Sequence, residues 1–285
     1  MAYLASPAKT ADIINRHKFA FRKRYGQNFL VDASMVEKIV DAAGLTKEDT
    51  VLEIGPGIGT MTQYLAECAD TVIAVEIDEK LLPILDETLS LYDNVTVIHE
   101  DILKLDLTAL VNEKNGGKPI KVVANLPYYI TTPILMALLE GEAPIESITI
   151  MIQSEVAERM RAEAGTKDYG ALTLSVQYHA QAERVGVVPP NCFMPRPQVE
   201  STVLTLRPYA VPPVSVKNPK RMFALIKAAF GQRRKTMSNA LSNAQGLNLT
   251  RTQVEEALEQ MGLDRMIRGE RLTLTQFAEL SDRLA

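Results

Sequence analysis

The chain has 285 residues, 46% hydrophobic and 23% charged, the make-up of a globular protein with room for one large domain and a small one. Two cysteines, Cys68 and Cys192, lie far apart and outside any metal-ligand spacing, which argues against a disulfide framework or zinc site and for a reducing compartment, the cytoplasm. A net charge of −4 excludes a uniformly basic protein, and no apolar run is long enough to span a bilayer.

In chain order, residues 1–7 hold no apolar signal core, and residues 16–24 form a basic segment with Arg16, Lys18, Arg22, Lys23 and Arg24. Asp32 reads as an N-cap; Val36, Ile39, Val40 and Ala43 then fall on one helix face, and Gly44 stops the helix. Short β-branched runs follow at 51–54, 71–75, 95–98 and 121–124, with amphipathic stretches such as 61–66 and 80–89 between them. Strands alternating with helices predict right-handed crossovers and a parallel sheet. Thr132-Pro133 predicts the cap and first-turn proline of a helix over 134–139. Residues 147–152 read as the next strand, and 172–178 and 202–206 as strands that complete the sheet.

Pro208, Pro212, Pro213 and Pro219 mark a linker. Beyond it the pattern is helical: residues 221–230 are amphipathic, and Thr250 with Gln253 and Thr273 with Gln276 have capping-box spacing. We therefore expect two domains, 1–211 and 212–285. The charge balance changes sign at the same place, from −9 over residues 1–210 to +5 over 211–285. Residues 217–235 hold Arg221, Arg233, Arg234 and Lys235 among seven cations and no acid. Such a patch suits a phosphate backbone, and it equally suits a solvated helix face.

The chemistry-bearing residues fall at strand ends. Glu53-Ile54-Gly55-Pro56-Gly57-Ile58-Gly59 follows the first strand, and its glycines let the backbone approach a ligand closely. The spacing differs from the Gly-x-Gly-x-x-Gly of dinucleotide binders. Glu76 ends the second strand, where an acid can take both ribose hydroxyls. Asp101 follows the third, placed to accept from an adenine amine. The fourth ends in Asn125-Leu126-Pro127-Tyr128. An exocyclic amine is a poor nucleophile because its lone pair is delocalised into the ring. Two acceptors on its N–H bonds, an Asn side-chain oxygen and a neighbouring main-chain carbonyl, favour the pyramidal form that frees that lone pair. Proline stiffens the turn, and tyrosine offers a face for a base. The tetrapeptide alone is better read as a Pro-terminated strand with a half-buried Tyr. The order of the four strand ends decides for a nucleoside cofactor followed by a reacting amine.

With these motifs the chain resembles the ribosomal RNA adenine N6-dimethyltransferase family of the small-subunit type. The likeness runs from Tyr25-Gly26-Gln27-Asn28-Phe29-Leu30 through the strand-end residues to Phe193-Met194-Pro195-Arg196-Pro197-Gln198-Val199. It continues through Ala229-Phe230-Gly231-Gln232-Arg233-Arg234-Lys235-Thr236 and Arg268-Gly269-Glu270-Arg271-Leu272. The resemblance implies an α/β Rossmann-like methyltransferase sheet with helices on both faces and a small all-α C-terminal domain. It implies S-adenosylmethionine as cofactor, held by Asn28, Leu30, Gly55, Gly57, Glu76, Asp101 and Asn125. It implies a base pocket made by Asn125 and the Leu126 carbonyl on the amine, with Pro127 in the turn and Tyr128 stacking opposite Phe193. On residue type alone, Phe193 reads as a packed loop aromatic. The implied substrate is two adjacent adenines near the 3′ end of small-subunit RNA in an immature 30S particle, gripped by Arg22, Lys23, Arg24, Arg221, Arg233, Arg234 and Lys235. A monomer acting by direct in-line transfer, without a metal, is expected. His17, His99 and His179 form no visible dyad.

Three alternatives stay open on the sequence. A large-subunit adenine methylase of the erythromycin-resistance type would share fold and tetrapeptide. A nicotinamide oxidoreductase would need different glycine spacing. A ribosome-assembly checkpoint protein could use the same fold with catalysis secondary.

Overall fold

The structure, a computed structural model, describes residues 3–285, the side chain of Lys23 excepted. Its elements in order are α1 (Pro7–Arg16), β1 (Phe29–Leu30), α2 (Ala33–Ala43), β2 (Thr50–Ile54), α3 (Thr60–Cys68), β3 (Thr71–Glu76), α4 (Leu82–Thr88) and β4 (Val95–His99). Then come α5 (Leu107–Asn115), β5 (Ile120–Asn125), α6 (Thr131–Glu140), β6 (Ile145–Gln153), α7 (Ser154–Arg161), α8 (Ala171–His179), β7 (Ala180–Val188), β8 (Phe193–Met194) and β9 (Ser201–Pro208). Four helices close the chain: α9 (Pro219–Gly231), α10 (Met237–Ser242), α11 (Arg251–Gln260) and α12 (Leu274–Arg283).

Seven strands form one sheet in the order β4-β3-β2-β5-β6-β9-β7. From β4 to β6 every pairing is parallel, and β9 runs antiparallel to β6. Central strands of such a sheet are buried on both faces and read as continuous apolar runs, as every residue of β2 is buried. Lys121 in β5 is one exception: its Nζ donates to the Gly44 carbonyl and the Asp49 carboxylate at 2.8 and 3.0 Å. α2 forms as expected, with Asp32 accepting from the Met35 amide, Gly44 in the left-handed region and the four apolar positions buried.

The chain divides into two compact units. The first comprises residues up to Ala157 together with Glu183–Pro208, the second Glu158–Ala182 together with Tyr209–Ala285. The linker break thus falls three residues before the expected 211/212 boundary, and one internal segment groups with the helical tail. That segment contains a correction. Residues 172–178, expected as a strand, lie in α8. The alternation Leu172, Leu174, Val176, Tyr178 mimics a half-buried strand, but Thr173 and Ser175 are buried too. A helix buried all round carries no polar face to reveal its period. The Thr173 hydroxyl hydrogen-bonds the Gly170 amide and the Arg159 carbonyl.

The helix after β5 starts at Thr131, not after a Thr132 cap; the Thr131 hydroxyl instead donates to the Pro127 carbonyl at 3.1 Å. Both expected capping boxes form, at Thr250 with Gln253 and at Thr273 with Gln276. α1, β7 and α5 had no sequence expectation, although Ser6-Pro7 and Asp106 are ordinary cap signals. Cys192 is buried and Cys68 half-buried. Among the described residues no helix is long and apolar enough to cross a membrane.

Candidate active site

β2 lies between β3 and β5, so the chain fills one half of the sheet outward through β3 and β4 before returning to build the other through β5 and β6. At such a switch point the carboxyl ends of adjacent strands open a crevice. A cleft of about 1110 Å³, open to solvent, occupies it. Every residue the sequence assigns to base or cofactor lines this cleft: Asn28, Leu30, Gly55, Gly57, Glu76, Asp101, the tetrapeptide 125–128 and Phe193.

The glycine loop needs its glycines for different reasons. Gly55, Gly57 and Gly59 all have positive φ, which side chains rarely adopt. A Cβ on Gly55 would meet nothing within 4 Å, so this backbone faces the open cleft. A Cβ on Gly59 would lie 2.9 Å from the Thr88 hydroxyl and 3.1 Å from Leu89. The third glycine therefore serves packing against α4, even though the spacing is not that of dinucleotide binders.

The cofactor side of the cleft is acidic. Glu76 is buried and accepts from the Asp78 amide at 2.8 Å and the Gly57 amide at 3.3 Å. Burial pushes its pKa up to about 7, and the main-chain donors hold it below what burial alone would give. Glu53 is 1% exposed and neither of its carboxylate oxygens has a hydrogen-bond partner within the chain. Burial pushes it up to about 8, with the Thr62 hydroxyl partly offsetting this and Glu76 adding to it. Sequence reasoning gave Glu53 no role; the signal was an acid inside an apolar strand. Asp101 uses Oδ1 to accept from the Leu103 amide at 3.1 Å. Glu100 also lines the cleft, and among the described residues that line it there is no Lys, Arg or His. Four carboxyl groups in a lining that holds no described cation fit a ligand that brings its own positive charge. The open backbone at Gly55 and the partnerless Glu53 oxygens fit a nucleoside-bearing cation such as S-adenosylmethionine.

The tetrapeptide is held rigidly. Asn125 donates from Nδ2 to the Asn28 carbonyl at 3.1 Å. A carbonyl only accepts, so this bond fixes which way the amide points and leaves Oδ1 as an acceptor. The Leu126 amide donates to the Met151 carbonyl at 3.1 Å, and the Pro127 carbonyl accepts from the Ile130 amide at 3.2 Å. Tyr128 Oη and Ser201 Oγ are 3.2 Å apart, so the ring is tethered to β9. Phe193 reaches the cleft through a two-stranded antiparallel ribbon in which Leu30 faces Phe193 and Phe29 faces Met194.

The basic residues divide. Arg22 donates to Asp78 Oδ1 at 3.0 Å, and Gln27 takes Oδ2 at 2.8 Å; the Asp78 side chain is fully buried, so this arginine is committed to an internal pair. Arg221 is half-buried and donates to the Leu284 carbonyl. Arg233 donates to the Lys167 carbonyl at 2.9 Å and lies 3.6 Å from Glu270. Arg24, Arg233, Arg234 and Lys235 are exposed. The side chain of Lys23 lies outside the described residues.

A parallel sheet with a reversed strand beside β6, an acid-lined cleft at its switch point and a clamped Asn-Leu-Pro-Tyr turn define the Rossmann-like methyltransferases. The sequence profile of the ribosomal RNA adenine dimethylase family matches residues 18–285. The chain belongs to that family. It is 58% identical over 283 residues to the ribosomal RNA small subunit methyltransferase A of Lachnoclostridium phytofermentans, covering 99% of this chain and 98% of the relative. It is 52% identical to the protein of the same name from Alkaliphilus metalliredigens, covering 100% and 99%. Among solved structures, the 23S rRNA methyltransferase ErmE superposes with a TM-score of 0.66 at 29% identity, over 90% of this chain and 99% of that one. A dimethyladenosine transferase from Plasmodium falciparum superposes at 0.70 with 24% identity, over 88% and 95%, and shares the fold.

Proposed function

We propose that this chain is an S-adenosylmethionine-dependent enzyme that dimethylates N6 of two adjacent adenines near the 3′ end of small-subunit ribosomal RNA, acting as a monomer on an immature 30S particle. The observation that carries the reading is the clamped Asn125 amide, whose Nδ2 is occupied by the Asn28 carbonyl so that Oδ1 is left to accept. Kinship with relatives named small subunit methyltransferase A over nearly the whole chain favours that substrate over the large-subunit RNA of the ErmE type. Bound S-adenosylmethionine supplies an electrophilic methyl on a sulfonium, so the nucleophile needs orientation more than deprotonation.

This chain's residues provide that orientation. Asn125 Oδ1 and the Leu126 carbonyl accept the two N–H bonds of the amine and hold its lone pair toward the cofactor side of the cleft. Tyr128, tethered to Ser201, and Phe193, buried in its ribbon, hold the two faces of the extruded base. Stacking of this kind contributes about 1–3 kcal/mol per base, comparable to the cost of unstacking it. Glu76 takes the ribose hydroxyls, Asp101 the cofactor's adenine amine, and Gly55, Gly57, Asn28 and Leu30 supply close backbone and apolar contact. Positioning accounts for the rate, since well-oriented reactants reach effective molarities of about 10⁵–10⁸ M. The exposed cations Arg24, Arg234 and Lys235 bind phosphates, and the second unit serves as the RNA-binding domain.

Purified protein incubated with S-adenosylmethionine and small subunits from cells lacking it is expected to yield two dimethyladenines in that RNA by mass spectrometry. Methyl groups confined to large-subunit RNA, or on a nucleoside other than adenine, would refute the assignment.

A further inference from the structure

Tyr129 follows the tetrapeptide and takes no part in clamping it. At 56% it is the most exposed aromatic side chain among the described residues, yet it lines the cleft. Its ring rests on the backbone of Gly26, where a Cβ would lie 3.6 Å from Tyr129 Cδ1 and 3.6 Å from Pro127. The chain just before Gly26 adds a second flat surface. Arg24 lays its guanidinium 4.5 Å from the centre of the Tyr25 ring and donates from Nη2 to the Tyr25 hydroxyl at 2.8 Å. Tyr25 also lines the cleft, and Arg24 is exposed. The mouth therefore presents two tyrosine rings and a guanidinium plane beside a pocket built for one base.

An extruded base leaves its neighbour in the strand without a stacking partner. Single-stranded RNA is held where bases find aromatic or guanidinium faces and phosphates find a cation, which is what this rim offers. We propose that Tyr129, with the Tyr25–Arg24 pair beside it, is a stacking platform for the nucleotide next to the target adenine. The enzyme then reads the target adenine together with one neighbouring nucleotide. This rests on the functional reading above and extends it to a residue outside the base pocket.

The test uses the full chain and an RNA hairpin with two adjacent unpaired adenines. One of the two is replaced by 2-aminopurine, whose fluorescence is quenched on stacking, or by an abasic nucleotide. The abasic change is expected to weaken binding about tenfold for the parent and for Tyr129→Phe, and under twofold for Tyr129→Leu, as the loss of one stacked base predicts. Quenching on binding is expected for the parent and Tyr129→Phe and not for Tyr129→Leu. Binding with no abasic penalty in the parent, or an equal penalty in Tyr129→Leu, would overturn the platform alone. Weaker cofactor binding by Tyr129→Leu with RNA discrimination intact would seat the ring over the cofactor and also overturn it. Failure of the parent to methylate the small subunits named above would instead bring down the functional reading, and the platform with it.

Discussion

The strand-end cleft and the basic stretch 217–235 carry comparable numbers of charged or polar candidates, yet they differ in what a candidate's presence means. In the cleft, each residue is delivered by the end of a strand or ribbon and then locked: Asn125 by the Asn28 carbonyl, Glu76 by two amides, Tyr128 by Ser201. In the basic stretch the cations share a run but not a fate. Arg221, half-buried, donates to the Leu284 carbonyl; Arg233 donates to the Lys167 carbonyl beside Glu270 yet stays exposed, as Arg234 and Lys235 are. Strand periodicity dictates where a side chain points, whereas counting charges leaves open which of them are already satisfied inside the protein.

Breaking the cleft half of this contrast should give the largest effect. Asn125→Ala is expected to lower methyl transfer about 10²–10³-fold, the usual consequence of removing one preorganised hydrogen-bonding group at a reacting centre, with cofactor affinity little changed. A tritiated-methyl assay beside calorimetric cofactor titration reads both. Near-normal turnover would remove Asn125 from the reaction and reduce the clamp to strand-end geometry.

The buried acids give a second, pH-resolved prediction. Glu53 has a folded pKa of about 8 against 4.5 for the free side chain, and Glu76 one of about 7. Between those values the folded state binds more protons at these two groups than the unfolded state, so their contribution to stability is greatest below about pH 4.5 and declines as pH rises until about 7 to 8. A tenfold change in proton affinity corresponds to about 1.4 kcal/mol at most, which puts the Glu53 contribution on the order of a few kcal/mol. Glu53→Gln should flatten the decline between pH 5 and 8 in denaturant titrations. An unchanged slope would show that Glu53 ionises freely and that the cleft floor is wetter than its geometry implies.

The smallest effect sharpens the basic half. Replacing Arg234 and Lys235 by Gln should weaken RNA binding severalfold and reduce the slope of log affinity against log salt by about 0.7–0.9 for each phosphate no longer neutralised. Arg221→Gln should leave that slope unchanged and lower the melting temperature instead, because its guanidinium closes the C-terminal helix end. Equal slopes for both variants would erase the distinction between free and committed cations.

Much of the fold was legible because local and global preferences agree. The four β-branched runs became β2 to β5, and Asp32, Thr250 and Thr273 cap the helices their spacing implies. The failures share one cause. Where burial is uniform, polarity stops reporting periodicity, so α8 passed for a strand; its threonine is satisfied inside the unit and its serine is buried rather than turned to water. Glu53 went unassigned for a related reason: an acid within an apolar strand declares that it is buried, but not what it faces.

By itself the sequence determined the alternation of strands and helices, the chemistry placed at each strand end, and the family to which those motifs belong. These follow from short-range patterning and from residue types that few reactions need together. Tertiary structure alone decided which side-chain atoms remain to act. It put the Asn28 carbonyl on one side of the Asn125 amide, brought Phe193 to the cleft through pairing with Leu30, and removed Arg22 and Arg221 from the exposed cations. Such outcomes depend on contacts between residues far apart in the chain, and no local pattern encodes which donor will meet which acceptor.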